Sequence, residues 1–91
     1  MAIEWDENKN LSNIKKHGFD FYDAAQIFES PLLVKLDSKE EYKEDRFIGL
    51  GVLRNFVVVI VFTENIEKDV IRVISIRKAT RIERDIYERK L

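Results

Sequence analysis

The sequence predicts an α+β fold, with two N-terminal helices and one C-terminal helix packed on a four-stranded antiparallel sheet. Three observations carry this. Apolar residues recur at helical spacing up to Pro31, the period becomes strand-like from Leu32 to Arg77, and Thr80 with Glu83 forms a T-x-x-E capping signal that restarts helix. At 91 residues the chain has the length of one domain, and 45% hydrophobic with 36% charged residues suits a globular one. Without cysteine it can form neither a disulfide nor a cysteine-ligated metal site, and this fits a reducing compartment.

A first helix follows from Asp6 as N-cap, Glu7 in the first turn, Lys15, Lys16 and His17 in the last turn, and Gly18 as a left-handed stop. Its apolar content is thin, only Leu11 and Ile14 with Ile3 and Trp5 ahead, so most of its circumference should face solvent or a ligand. A second helix is expected from Asp20, with Phe21, Ala24, Ala25 and Phe28 on one stripe and Ser30-Pro31 ending it.

Leu32–Leu36 reads as the first strand and 37–45 as a charged connection. Arg46–Leu53 is the second strand, its Gly49 and Gly51 on the face of Phe47 and Leu53, where a helix or ligand could approach the backbone. Arg54-Asn55 is a two-residue turn. Phe56–Phe62 is apolar on both faces, as in a central strand. Val70–Arg77 is the last strand, with Val70, Arg72, Ile74 and Ile76 on one face and Ile71, Val73, Ser75 and Arg77 on the other. In the final helix Ile82, Ile86 and Tyr87 supply the apolar stripe.

The longest apolar run has seven residues, Phe56 to Phe62, against about 20 for a membrane span. With no basic-then-apolar start, the expectation is a cytoplasmic chain with no membrane partner.

The formal net charge of −1 hides a division. Residues 1–45 carry six Lys, no Arg and eleven acids, a balance of −5, whereas residues 46–91 carry seven Arg, three Lys and six acids, a balance of +4. Arginine has the planar, permanently charged fork suited to phosphate.

No phosphate-binding Gly-rich loop, metal-ligand spacing or nucleophile elbow is present, so neither metal nor cofactor is expected. His17 is either a helix-end cap or an acid/base group. Arg46 and Arg77 at strand ends are expected to converge on a cleft at the sheet edge. Each of these and Arg72 either pairs with the acidic half or meets phosphate. Arg77, Lys78 and Arg81 make the strand-to-helix junction the best anion-binding candidate, the rest of the helix being a solvated face with pairs such as Arg81–Asp85 and Arg84–Glu88.

Several motifs together carry a family resemblance. They are Trp5-Asp6-Glu7-Asn8-Lys9-Asn10, Asn13-x-x-Lys16-His17-Gly18, Phe21-x-x-Ala24, Phe28-x-x-Pro31, Glu44-x-Arg46, Phe62-Thr63, and Ile71-Arg72-x-Ile74-Ser75-x-Arg77-Lys78-Ala79 with Glu83 and Tyr87. In this order they resemble the BrnT family of type II toxins over nearly the whole chain, one toxin domain spanning 1–91. The resemblance implies a RelE-like fold and a ribonuclease that blocks translation. It also implies a BrnA-like ribbon-helix-helix antitoxin through which alone operator DNA would be reached. On this reading His17, Arg46 and Arg77 are catalytic; Lys9, Lys16, Arg72, Lys78 and Arg81 bind RNA; Glu83 and Tyr87 are additional active-site candidates. The expected reaction is metal-independent, with Arg46 and Arg77 on the developing charge and His17 or Lys16 in proton transfer. Asn65 stands where the family often has arginine, and Ile76 where a small residue is usual. Asn65 and the low net charge motivate a second reading: a toxin homologue that binds antitoxin and regulates its operon without cutting RNA.

Overall fold

The computed structural model describes residues 1–38 and 45–91. Strand β1 (Ala2–Glu4) leads into α1 (Glu7–His17), a 3-10 turn (Phe21–Asp23) and α2 (Ala24–Glu29). Then come β2 (Leu33–Ser38), β3 (Arg46–Leu53), β4 (Phe56–Asn65), β5 (Val70–Lys78) and α3 (Arg81–Lys90). The strands form one sheet in the order β1-β5-β4-β3-β2.

The α+β class is as expected, but the sheet has five strands and is mixed. The addition is β1, parallel to β5 with Ala2, Ile3 and Glu4 opposite Val70, Ile71 and Arg72. Three residues are too few to show alternation, and only their pairing makes them a strand. The second helix is also altered. Asp20 accepts from the Tyr22 amide and tightens the first turn into 3-10 geometry, leaving six α-helical residues. Ile27 takes the buried place expected for Ala25, which is exposed. Of the connection over 37–45, residues 39–44, Glu44 included, lie outside the described residues.

Two asparagines hold α1 where its apolar residues could not. β1 covers the edge of β5 only as far as Arg72. Beyond it, Asn13 donates to the Ile76 carbonyl at 2.9 Å and accepts from the Ile76 amide at 3.2 Å, as a neighbouring strand would. Its second amide hydrogen goes to the Phe19 carbonyl at 3.0 Å. Asn10 accepts from the Phe21 amide at 2.8 Å and donates to Asp20 and Glu7. Both side chains are buried and satisfied, so α1 can present Leu11 and its lysines to solvent.

On one face of the sheet Phe21, Ala24 and Ile27 pack over Leu53, Val58, Ile60, Phe62, Ile71, Val73 and Ile76. On the other, Tyr87 of α3 packs on Leu50 and Val59, with Leu33, Ile48, Val52, Val57 and Ala79 around them. Strand β4 is thus buried on both faces. Of the two glycines expected to admit a close approach, α2 makes it at Gly51, where a Cβ would lie 2.9 Å from Ile27 Cγ2 and from Ser30 Oγ, whereas Gly49 faces the side chains of Ile60, Leu32 and Phe62. The Arg54-Asn55 turn is present, with Arg54 at φ 58° and its guanidinium 3.0 Å from Asp23.

One irregularity in β5 decides how the arginines are displayed. Val61 pairs with Ser75 but Phe62 pairs with Val73, so Ile74 is an extra residue, a β-bulge. In a regular strand Arg72 and Arg77, five apart, would point to opposite faces. With the bulge between them both occupy the α3 face, and Ile76 joins Ile71 and Val73 in the first core instead of sharing a face with Arg72.

Candidate nucleic-acid interface

Among the described residues the α3 face is covered at one end only. Arg77 is opposite Val59 at the covered end. At the other end Arg46 and Arg72 are both opposite Thr63 of β4, one from each neighbouring strand. Four residues of β4 separate these levels, about 13 Å, and two strand spacings of about 10 Å separate the backbones of Arg46 and Arg72. Half-buried Ile48, Val61 and Ser75 form the floor between the two levels.

Arg46 and Arg77 therefore share a face, but they do not converge at one edge. Two antiparallel pairings make β3 and β5 run in the same direction, so the start of one and the end of the other are at opposite ends of the sheet.

Two of the three arginines are held by carboxylates. Arg72 Nη1 is 2.8 Å from Glu4 Oε2, across the parallel β1–β5 pair. Arg77 donates from Nη1 and Nη2 to the two oxygens of Glu83, each at 2.8 Å. Glu83 also accepts from the Thr80 amide at 2.8 Å, and Thr80 Oγ1 accepts from the Glu83 amide, completing the capping box expected from the sequence. The Arg77 hydrogen bonds above all hold the Glu83 carboxyl down at about 2, and the same bonds raise Arg77.

The remaining candidates lie around this face. Tyr87 is buried, its hydroxyl donates to the Pro31 carbonyl at 2.6 Å, and burial pushes its phenol upward. Lys78 alternates to the other face, its ammonium 5.0 Å from the centre of the Phe56 ring. Since β1 meets β5 at Arg72 and Asn13 meets it at Ile76, α1 advances along β5 in the same sense. Its exposed last turn, Lys16 and His17, is level with the exit of β5 and far from Arg46. Among the described residues no hydrogen bond or ion pair joins His17 to either arginine. Lys9 is exposed on the first turns of α1 and Arg81 on the first turn of α3. Neither Arg81–Asp85 nor Arg84–Glu88 closes to an ion pair among the described residues.

Two depressions flank the floor. A groove of about 320 Å³ runs between α3 and the β2–β3 hairpin, lined by Leu33, Ile48, Leu50 and Ile86 with Lys35 and Lys90 at its rim and Arg77 and Glu83 at one side. A polar cleft of about 150 Å³ beyond Thr63 contains Asn65, Lys68, Arg72 and Glu4. Thr63 and Lys68 are site neighbours that were not among the expected site residues; Thr63 was signalled only by the Phe62-Thr63 motif. Among the described residues no group of three or more His, Asp or Glu side chains is placed to hold a metal ion, and no helix is long and apolar enough to cross a membrane.

A family model described as the ribonuclease toxin BrnT of a type II toxin-antitoxin system matches residues 5–83. The chain belongs to the BrnT family. No curated protein matches it. The BrnT match runs from Trp5 to Glu83 and so takes in α1, the whole sheet after β1 and the Arg77–Glu83 contact. As a type II toxin, a BrnT protein has a protein antitoxin as its partner.

Proposed function

We propose that this BrnT-family chain is a metal-independent endoribonuclease that cuts messenger RNA in the cytoplasm and thereby stops translation, and that a BrnA-like antitoxin neutralises it. The observation that carries the reading is the bulge at Ile74, which puts Arg72 and Arg77 on the open face with Arg46.

RNA lies across that face. Arg46 and Arg72 hold phosphates at the Thr63 end, and the reacting phosphate sits at Arg77. There the 2′-hydroxyl attacks the adjacent phosphorus, the P–O5′ bond breaks, and a cyclic phosphate and a free 5′-hydroxyl result. Arg77 stabilises the charge on the non-bridging oxygens; Glu83 engages two of its five N–H donors and fixes its plane. Lys16 and His17, at the exit of β5, supply the proton-transfer group. Glu83 is ionised and bound to Arg77, so it positions and does not transfer protons. Tyr87, committed to Pro31, supports the floor.

The test is cleavage of single-stranded and ribosome-bound messenger RNA by the purified chain, with and without EDTA. Arg77→Ala, with its fold verified by circular dichroism, should lose roughly 10²–10³ in rate, the cost of one transition-state donor. Full activity in a folded Arg77→Ala protein would overturn the mechanism. A wild-type chain that binds antitoxin but cuts nothing would make it a regulatory homologue.

A further inference from the structure

Strand β2 is the longer of the two outer strands, bonded to β3 on one side and to no described residue on the other. It is also apolar on both faces. Val34 and Leu36 are 42% and 43% exposed on one, and Leu33 opens on the other into the groove of Ile48, Leu50 and Ile86. An outer strand with unspent backbone donors and acceptors and exposed apolar side chains invites strand addition, and soluble proteins ordinarily blunt such edges with charge, proline or a cover. Here the only charge of β2 before Asp37 is Lys35, which lines the groove together with Lys90.

We infer that β2 and the adjoining groove are the docking surface for an extended segment of the antitoxin, apolar at alternate positions and bearing carboxylates. Charge complementarity selects this occupant. The groove carries Lys35, Lys90 and Arg77 against the single carboxylate of Glu83. The added strand would satisfy the β2 backbone, its inward side chains would fill the groove beside Leu33 and Ile86, and its carboxylates would meet Lys35 and Lys90. Because Arg77 lines the same groove, the segment would end against the reacting phosphate's position and exclude RNA from it. The partner class rests on the reading above; the surface does not depend on the chain cutting RNA.

Hydrogen exchange of the complex with the antitoxin of its own operon tests this. The amides of residues 33–37 should gain at least tenfold protection on binding. Lys35→Glu combined with Lys90→Glu, both exposed, should weaken antitoxin binding tenfold or more while RNA cleavage without antitoxin stays unchanged. Unaltered exchange in β2 together with unaltered affinity of the double variant would overturn the proposal. So would sedimentation showing that the chain alone pairs through β2, since the occupant would then be a second copy. Protection of β2 in a complex of a wild-type chain that cuts no RNA would leave this surface standing and defeat only the catalytic reading.

Discussion

Glu83 grips Arg77 through two hydrogen bonds of 2.8 Å while its own Oε1 accepts from the Thr80 amide at 2.8 Å, so the cap that starts α3 also orients the arginine on the open face. Folding of the last helix and alignment of the Arg77 guanidinium are thus one event. Glu83→Gln keeps an acceptor for the Thr80 amide but loses the charge and one of the two acceptors for Arg77, and should cost about 1 kcal/mol, since the pair is partly exposed and screened. In a cleavage assay it should lower kcat about tenfold with little change in KM, because Arg77 stays charged but loses its fixed plane.

The same contact sets an acid limit. The Glu83 carboxyl is held at about 2 against an ordinary 4.5, so its stabilisation is complete above about pH 4.5 and is lost as pH falls toward 2. Asp20 is lowered as well, chiefly by the Tyr22 amide and then by Asn10, and contributes in the same direction. Urea unfolding from pH 6 to pH 2 should show a steep loss below pH 4.5 in the wild type and a shallower one in Glu83→Gln.

Arg46 and Arg72 should behave as phosphate contacts. Replacing either with Ala should weaken RNA binding across sequences and reduce the slope of log K against log salt by about 0.7–1 each, as read by fluorescence anisotropy. An unchanged slope for both would place the RNA elsewhere.

Asn13→Ala strips three hydrogen bonds and leaves the buried Ile76 amide and carbonyl without partners. A loss of about 3 kcal/mol is expected, which lowers Tm by more than about 10 °C in a domain of this size. Asn13→Asp should be nearly as damaging, because it keeps the acceptor but cannot donate to either carbonyl.

Gly51→Ala puts a methyl at 2.9 Å from Ile27 Cγ2 and 3.0 Å from Leu32 Cδ1, so the packing of these side chains on the sheet must give way. We expect about 1–3 kcal/mol of destabilisation by thermal melting, with the rate in cleavage assays unchanged because the methyl lies on the face away from α3.

The helix caps, the central strand, the hairpin turn and the purpose of the β3 glycines were legible because each is a local pattern of residue type and spacing. Strand β1 was not, since three residues carry no period. Nor was the anchoring of α1: Asn10 and Asn13 are polar in sequence, and they are buried because Asn13 meets the unpaired edge of β5 and Asn10 meets the Phe21 amide and Asp20. The arginines could be named from composition and family resemblance, yet their shared face depends on the insertion of Ile74, and alternation alone assigns Arg72 and Arg77 to opposite sides. Their expected meeting at one edge failed for a simpler reason: strands two apart in a meander are parallel.

The Asn13 amide has a consequence for assembly. By occupying the hydrogen-bonding groups of Ile76 it denies that stretch of β5 to a further strand, and β1 takes the stretch from Val70 to Arg72, so among the described residues this side offers only the three-residue outer edge of β1. The longer edge is the six-residue β2, and two molecules that joined there would form a ten-stranded unit bordered at each end by a three-residue strand. The unequal edges favour a pair over a fibre.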